Sequence, residues 1–187
     1  MNLKIAATIA LLACFGFTKQ VFAANPQDLA QLKATSTCPR CDLSGADLTQ
    51  FNLKNANLRN ANLNRANLSQ ANLSNADFTG ADLEAAVLRS ANLSGASFTG
   101  ANLKSASLEN ADLSNTGFIS ANLAAANMKG ATTEFTNFRG ANYQLTTLPT
   151  GVVTSNKPYW WSLERTNSRE CNKFKHENST GSTCYSQ

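Results

Sequence analysis

Cys38-Pro39-Arg40-Cys41 sets two thiols three residues apart, the spacing of a redox dithiol or of half a zinc site. A redox pair needs a thiolate activated by a nearby cation or helix start, and Arg40 is the one cation inside the motif. A zinc site needs further ligands, which Cys171, Cys184 or His176 would have to bring from far along the chain. The plainer alternative is structural: a local disulfide or two small buried thiols at Cys38 and Cys41. Cys171 and Cys184 are then candidates for a second disulfide. His176 is the only histidine, set in a polar stretch, so the many serines have no base to activate them. Asp42, Asp47, Asp77, Asp82 and Asp112 are potential acids, but each sits between an apolar pair in a recurring pattern, where backbone hydrogen bonding explains it better. There is no glycine-rich phosphate loop. These residues predict no enzyme, no cofactor and no metal, with thiol-redox or metal handling by Cys38 and Cys41 as the alternative.

The elements that would position these residues come from two segments. The first is N-terminal: Lys4, an apolar run from Ile5 to Phe17, and Val21-Phe22-Ala23 before Ala24. This reads as a signal peptide over residues 1–23, cleaved after Ala23. Leu11-Leu12-Ala13-Cys14 loosely resembles a lipobox, which makes a lipoprotein the lesser alternative. Cleavage would remove Lys4 and Lys19 and lower the formal charge from +4 to +2. It would also remove Cys14 and leave an even four cysteines, as suits an oxidising compartment. So slight a charge calls for no nucleic-acid or anionic-membrane partner. No later apolar stretch is long enough to span a membrane.

The second segment repeats every five residues, as in ADLTQ, ANLRN, ANLNR, ANLSQ, ANLSN and ADFTG. Central residues run from Leu43 to Leu148 at strict spacing, and each is Leu, Phe, Met or Tyr except Thr133. Five matches neither the helical period nor that of a strand. Within a unit, however, the Ala and the centre lie two apart and share a face in extended backbone, while the Asn or Asp between them points away. The other two residues are turn formers or soluble types. Each unit is therefore a very short strand plus a corner, and it buries its apolar residues only when coils stack.

The pattern resembles the pentapeptide-repeat family, whose A(D/N)LXX consensus is matched over residues 41–148. The stretch from Cys38 to Leu48 is similar to that of many cyanobacterial members. The resemblance implies an all-β solenoid, a right-handed quadrilateral parallel β-helix with four units per coil. The sequence tests the four-sided coil: at a 20-residue spacing Phe78, Phe98, Phe118 and Phe138 fall on one side, with Thr116 and Thr136 beside them. About five and a half coils follow, a rod roughly 26 Å long at the interstrand spacing. Residues 24–40 are expected to form a capping helix and the CxxC segment, with Asn25 as cap, Pro26 in the first turn, and Leu29 and Leu32 facing the first coil. Residues 149–187 are expected to form a C-terminal cap and basic tail, with Tyr159, Trp160 and Trp161 supplying apolar area and a helix over 159–175.

Sorted by side, the two corner residues of each unit divide. On two sides opposite charges stack: Glu84 with Lys104, and Arg89, Glu109, Lys129 in alternation. On the other two the middle coils carry Ser74, Asn75, Ser94, Gly95, Ser114 and Asn115, then Thr79, Gly80, Thr99, Gly100, Ile119 and Ser120, none charged. These twelve form the candidate contact surface for an as yet unidentified protein partner, although small polar residues are also what the repeat tolerates. Cytosolic family members that protect DNA gyrase are acidic DNA mimics, a role that an exported chain of charge +2 does not match. The expectation is a binding or scaffolding protein of the periplasm, or of the thylakoid lumen if the source is cyanobacterial. It is expected to be a monomer or a weak end-to-end dimer.

Overall fold

A computed structural model describes residues 24–154. The segment 1–23, the expected helix over 159–175, Cys171, Cys184 and His176 lie outside the described residues. Helix α1 spans Pro26–Thr35. Asn25 caps it, its side chain accepting the Gln27 and Asp28 amides at 2.9 and 3.4 Å. Pro26 occupies the first turn, where a missing N–H costs no hydrogen bond. Asp28 ties the helix to the first coil by accepting the Asp42 amide at 2.7 Å. Leu32 is fully buried and Leu29 packs against the same core, so the helix covers this end of the stack.

From Thr37 onward the chain is a ladder. Nineteen parallel β-bridges run from Thr37↔Asn57 to Asn127↔Thr147, and each joins residues 20 apart. One coil is therefore four pentapeptides. Every bridge is isolated, so a side of the coil is one bridged residue and not an extended strand. The corner between sides explains why. The centre begins a turn closed by the next Ala amide, as in Ala46 N–H to Leu43 C=O at 3.0 Å. The third residue of that turn has positive φ, for example Gly45 at 66° and Asn55 at 60°, as type II turns require. The ladder also reaches one unit further back than the sequence pattern. Cys38 takes the central position below Leu58, and its amide donates to Asn57 C=O.

The core is a set of columns. Centres from Leu43 to Met128 and the intervening Ala residues are buried, and each fully buried Leu is worth about 1.5–3 kcal/mol relative to exposure. Phe78, Phe98, Phe118 and Phe138 form a continuous ring stack, with centroids 4.7, 5.1 and 5.3 Å apart and planes within 8° of parallel. Thr116, Thr136 and Thr146 replace Ala without leaving a polar group unpaired. Their hydroxyls donate to the Leu93, Leu113 and Leu123 carbonyls at 2.9, 2.7 and 2.7 Å. At the far end Pro149 and Thr150 turn the chain back, and Thr147 pairs antiparallel with Val153. No helix among the described residues is long and apolar enough to cross a membrane.

Candidate functional site

The outward Asn and Asp residues hold the corners. Oδ1 of Asp42, Asp47, Asp77, Asp82 and Asp112 each accepts the amide two residues on, at 2.9–3.1 Å. Neighbouring coils are also linked side chain to side chain. Asn62 donates to Asp42 at 3.0 Å, Asn102 to Asp82 at 2.9 Å and Asn122 to Asn102 at 3.1 Å. The Thr49 hydroxyl and amide hold the Asp47 carboxyl below the usual range. Burial pushes Asp77 upward, but bonds from Thr79 and Arg59 outweigh it and leave that carboxyl lowered. The five carboxyls are thus occupied with the backbone and are spread along the ladder.

Cys38 and Cys41 are joined in a disulfide, with their Cα atoms 5.4 Å apart. Cys38 stands in a centre position and Cys41 in an Ala position, and both are buried. The Cys38 sulfur lies 3.2 Å from the Asp28 carbonyl of α1. Arg40, between them, is exposed at φ 62°. So placed, the sulfurs present no accessible thiolate: an exchanging thiol would reach them only after α1 lifted away. Among the described residues no group of three or more His, Cys, Asp or Glu is placed to hold a metal ion.

The stacked charges meet as their columns predict. Lys104 Nζ is 3.2 Å from Glu84, and Arg89 is 2.5 Å from Glu109. Lys104, as hydrogen-bond donor and as a charge, together with Asn102, holds the Glu84 carboxyl low. Lys129 makes no ion pair among the described residues. Arg89, Glu109, Lys129 and Pro149 line an open cleft of about 380 Å³ on that side.

The two uncharged sides need correction in two respects. Ser74 is buried, its hydroxyl turned onto Asn72 Oδ1 at 2.9 Å, and it cannot meet a partner. Ser94 does the same with Asn92 at 2.7 Å and is half-buried, as is Ser114. Thr79 and Thr99 are half-buried too, linked through Ser97 at 3.4 and 3.2 Å. What remains exposed is Asn75, Gly80, Gly95, Gly100, Asn115, Ile119 and Ser120. Next, these sides are not free of charge, because the outward position brings Asp77 and Asp112 to them. Asp77 pairs with Arg59 at 2.8 Å. At the far end, where the sequence leads one to expect a C-terminal cap over 149–187, Phe135, Leu145, Val152 and Val153 are exposed.

Residues 41–80 and 81–118 match the family model described as pentapeptide repeats, in 8 copies. Among solved structures, the chain is similar to Rfr23, a pentapeptide-repeat protein of the cyanobacterium Cyanothece 51142. The TM-score is 0.61 at 29% identity, over 66% of this chain and 95% of that one. It is 33% identical to HetL of Nostoc sp. strain PCC 7120, a pentapeptide-repeat protein involved in heterocyst differentiation regulation, over 63% of this chain and 65% of that one, with a TM-score of 0.34. A pentapeptide-repeat protein of the Arabidopsis thaliana thylakoid lumen is 26% identical over 72% of this chain and 79% of its own, with a TM-score of 0.37. None of the curated proteins matches the sequence. The 20-residue coil, the buried Ala and Leu columns and the eight matched copies agree: residues 41–118 of this chain are repeats of the pentapeptide-repeat family.

Proposed function

We propose that this chain is an exported, non-catalytic binding or scaffolding protein, a right-handed rod whose two smoother sides meet a protein partner. The observation that carries the reading is the contrast between sides. Over the middle coils the exposed residues of two adjacent sides are small or uncharged, and their carboxylates are limited to Asp112 and an Asp77 already paired with Arg59. The other two sides carry stacked ion pairs, which hold water and discourage close approach. A rigid coil adds that such a surface is presented preformed, without an ordering cost on binding. Export rests on the sequence before Ala24, and a disulfide at Cys38 and Cys41 accords with an oxidising compartment such as a periplasm or thylakoid lumen.

The test is affinity capture from periplasmic and membrane extracts of the source, with the chain from Ala24 as bait. Asn115→Arg and Ser120→Arg place charge on the smooth sides at corner positions whose positive φ an arginine already adopts at Arg40 and Arg65. Ser90→Arg on a charged side is the control. A partner kept by the control and lost by the first pair supports the reading. Equal capture by all three sinks the surface, and a native chain whose mass retains residues 1–23 sinks the export.

A further inference from the structure

The two ends of the stack are unlike. At the start, α1 lies on the first coil and Leu32, Cys38, Leu43 and Leu48 are fully buried. At the other end burial fails within one coil: Tyr143 is 39% exposed, Leu145 48% and Val152 59%. The backbone is open there as well. Elsewhere each centre and each corner donates its amide to the carbonyl 19 residues on, as Leu103 does to Asn122 and Ser105 to Ala124. Among the described residues the amides of Phe138 and Tyr143 find no such carbonyl, and the carbonyls of Ala131 and Ala141 receive no amide. An exposed apolar end, with backbone groups that no described residue pairs, is a surface that wants a cover.

We propose that the cover is this chain's own aromatic triplet, Tyr159-Trp160-Trp161. Thr154 is already fastened to the open end: its amide donates to Thr146 C=O at 2.9 Å and its hydroxyl to the Tyr143 carbonyl. Four residues separate it from Tyr159, a reach of about 17 Å when extended. That tether sets a local concentration on the order of millimolar, far above that of a second copy in solution. The chemistry matches too. Indole buries a large apolar face, about 150–250 Å² per ring, and its N–H is a donor only. The Ala131 carbonyl, which the Val152 amide does not reach, offers an acceptor such a donor needs. This holds whichever side of the rod binds a partner.

Trp160 and Trp161 are the only tryptophans in the chain, so intrinsic fluorescence of the full protein reads their surroundings directly. The expected result is emission to the blue of a synthetic peptide of residues 155–187, with several-fold weaker acrylamide quenching, both unchanged on dilution. Tyr143→Asp puts a carboxylate on the open face and is expected to return both readings to the peptide's values. Should that substitution unfold the last coil, the reciprocal change decides. Trp160→Ser with Trp161→Ser is expected to speed hydrogen exchange at the Tyr143 and Leu145 amides severalfold while those of Leu93 and Leu103 stay protected. Peptide-like emission in the native chain overturns the proposal. So does exchange at Tyr143 that the tail variant leaves unmoved. A blue shift lost on dilution together with a dimer identifies a second copy as the cover and overturns it equally.

Discussion

Each outward Asn or Asp commits its side chain to the corner that follows, so a residue lacking one should mark a weak corner. Gly117 is one such residue, as are Val87, Ser97, Ser107 and Thr132, and it is the one with no side chain at all. It occupies the outward position above Ser97 and below Asn137, outside the left-handed region, and a Cβ built there meets nothing within 4 Å. The Ile119 amide, two residues on, has no partner among the described residues. Gly117→Asn is expected to supply it, adding about 0.5–1.5 kcal/mol for the hydrogen bond and about 0.4–1 kcal/mol from reduced freedom of the unfolded chain. A urea midpoint raised at unchanged m-value is the expected readout, and one at or below the native value defeats the argument. At this scale the sequence was legible where the repeat dictates a role. The five Asp residues read as corner residues because they alternate with Asn. The burial of Ser74 was not legible, since cover at a corner depends on side chains one coil away and not on the unit itself.

The Phe column is the element with the plainest energetic consequence. Phe98 lies between two parallel rings, 4.7 Å from Phe78 and 5.1 Å from Phe118, and is fully buried. Phe98→Ala opens a cavity inside a stack that cannot collapse without breaking the ladder, and should cost about 3–5 kcal/mol. Phe98→Leu should cost less than about 1.5 kcal/mol, because the same column already holds Leu at position 58. Equal losses for the two variants, by denaturant unfolding, would mean that the coil relaxes around the gap. The same four Phe residues made the 20-residue period readable in sequence, since only a four-unit coil puts them on one side. The ladder's beginning was not readable. Cys38 fills a centre position with neither an Ala two before it nor an Asn or Asp ahead of it, so the consensus begins one unit late. Nor did the sequence announce the antiparallel return at Thr147 and Val153: Pro149 marks a turn, but its direction is set by the unpaired edge it leaves behind.

Across the whole rod, coils are fastened to one another on three sides by ion pairs: Arg59 with Asp77, Arg89 with Glu109, and Glu84 with Lys104. Each is partly exposed, so neutral-pH stability owes more to the core than to any one of them. Acid should bring them into view. Asp47, Asp77 and Glu84 all have folded carboxyl groups held below their ordinary values. Below the ordinary carboxylate range, about pH 4, the unfolded chain therefore binds more protons than the folded one. Their contribution is complete above that range and is lost as pH falls through the folded values. The denaturant midpoint is expected to stay level from neutral pH to about pH 5 and to fall steeply below about pH 4, with Glu84→Gln showing a shallower fall. A second force acts in the same direction, because protonated carboxylates leave 16 Lys and Arg unopposed. Salt separates the two: it screens general repulsion but does not restore a hydrogen bond from Thr49 or Asn102 to a protonated acid. A midpoint that recovers fully in salt assigns acid sensitivity to net charge alone, whereas a residual loss that Glu84→Gln diminishes assigns it to the bonds that lock coil to coil.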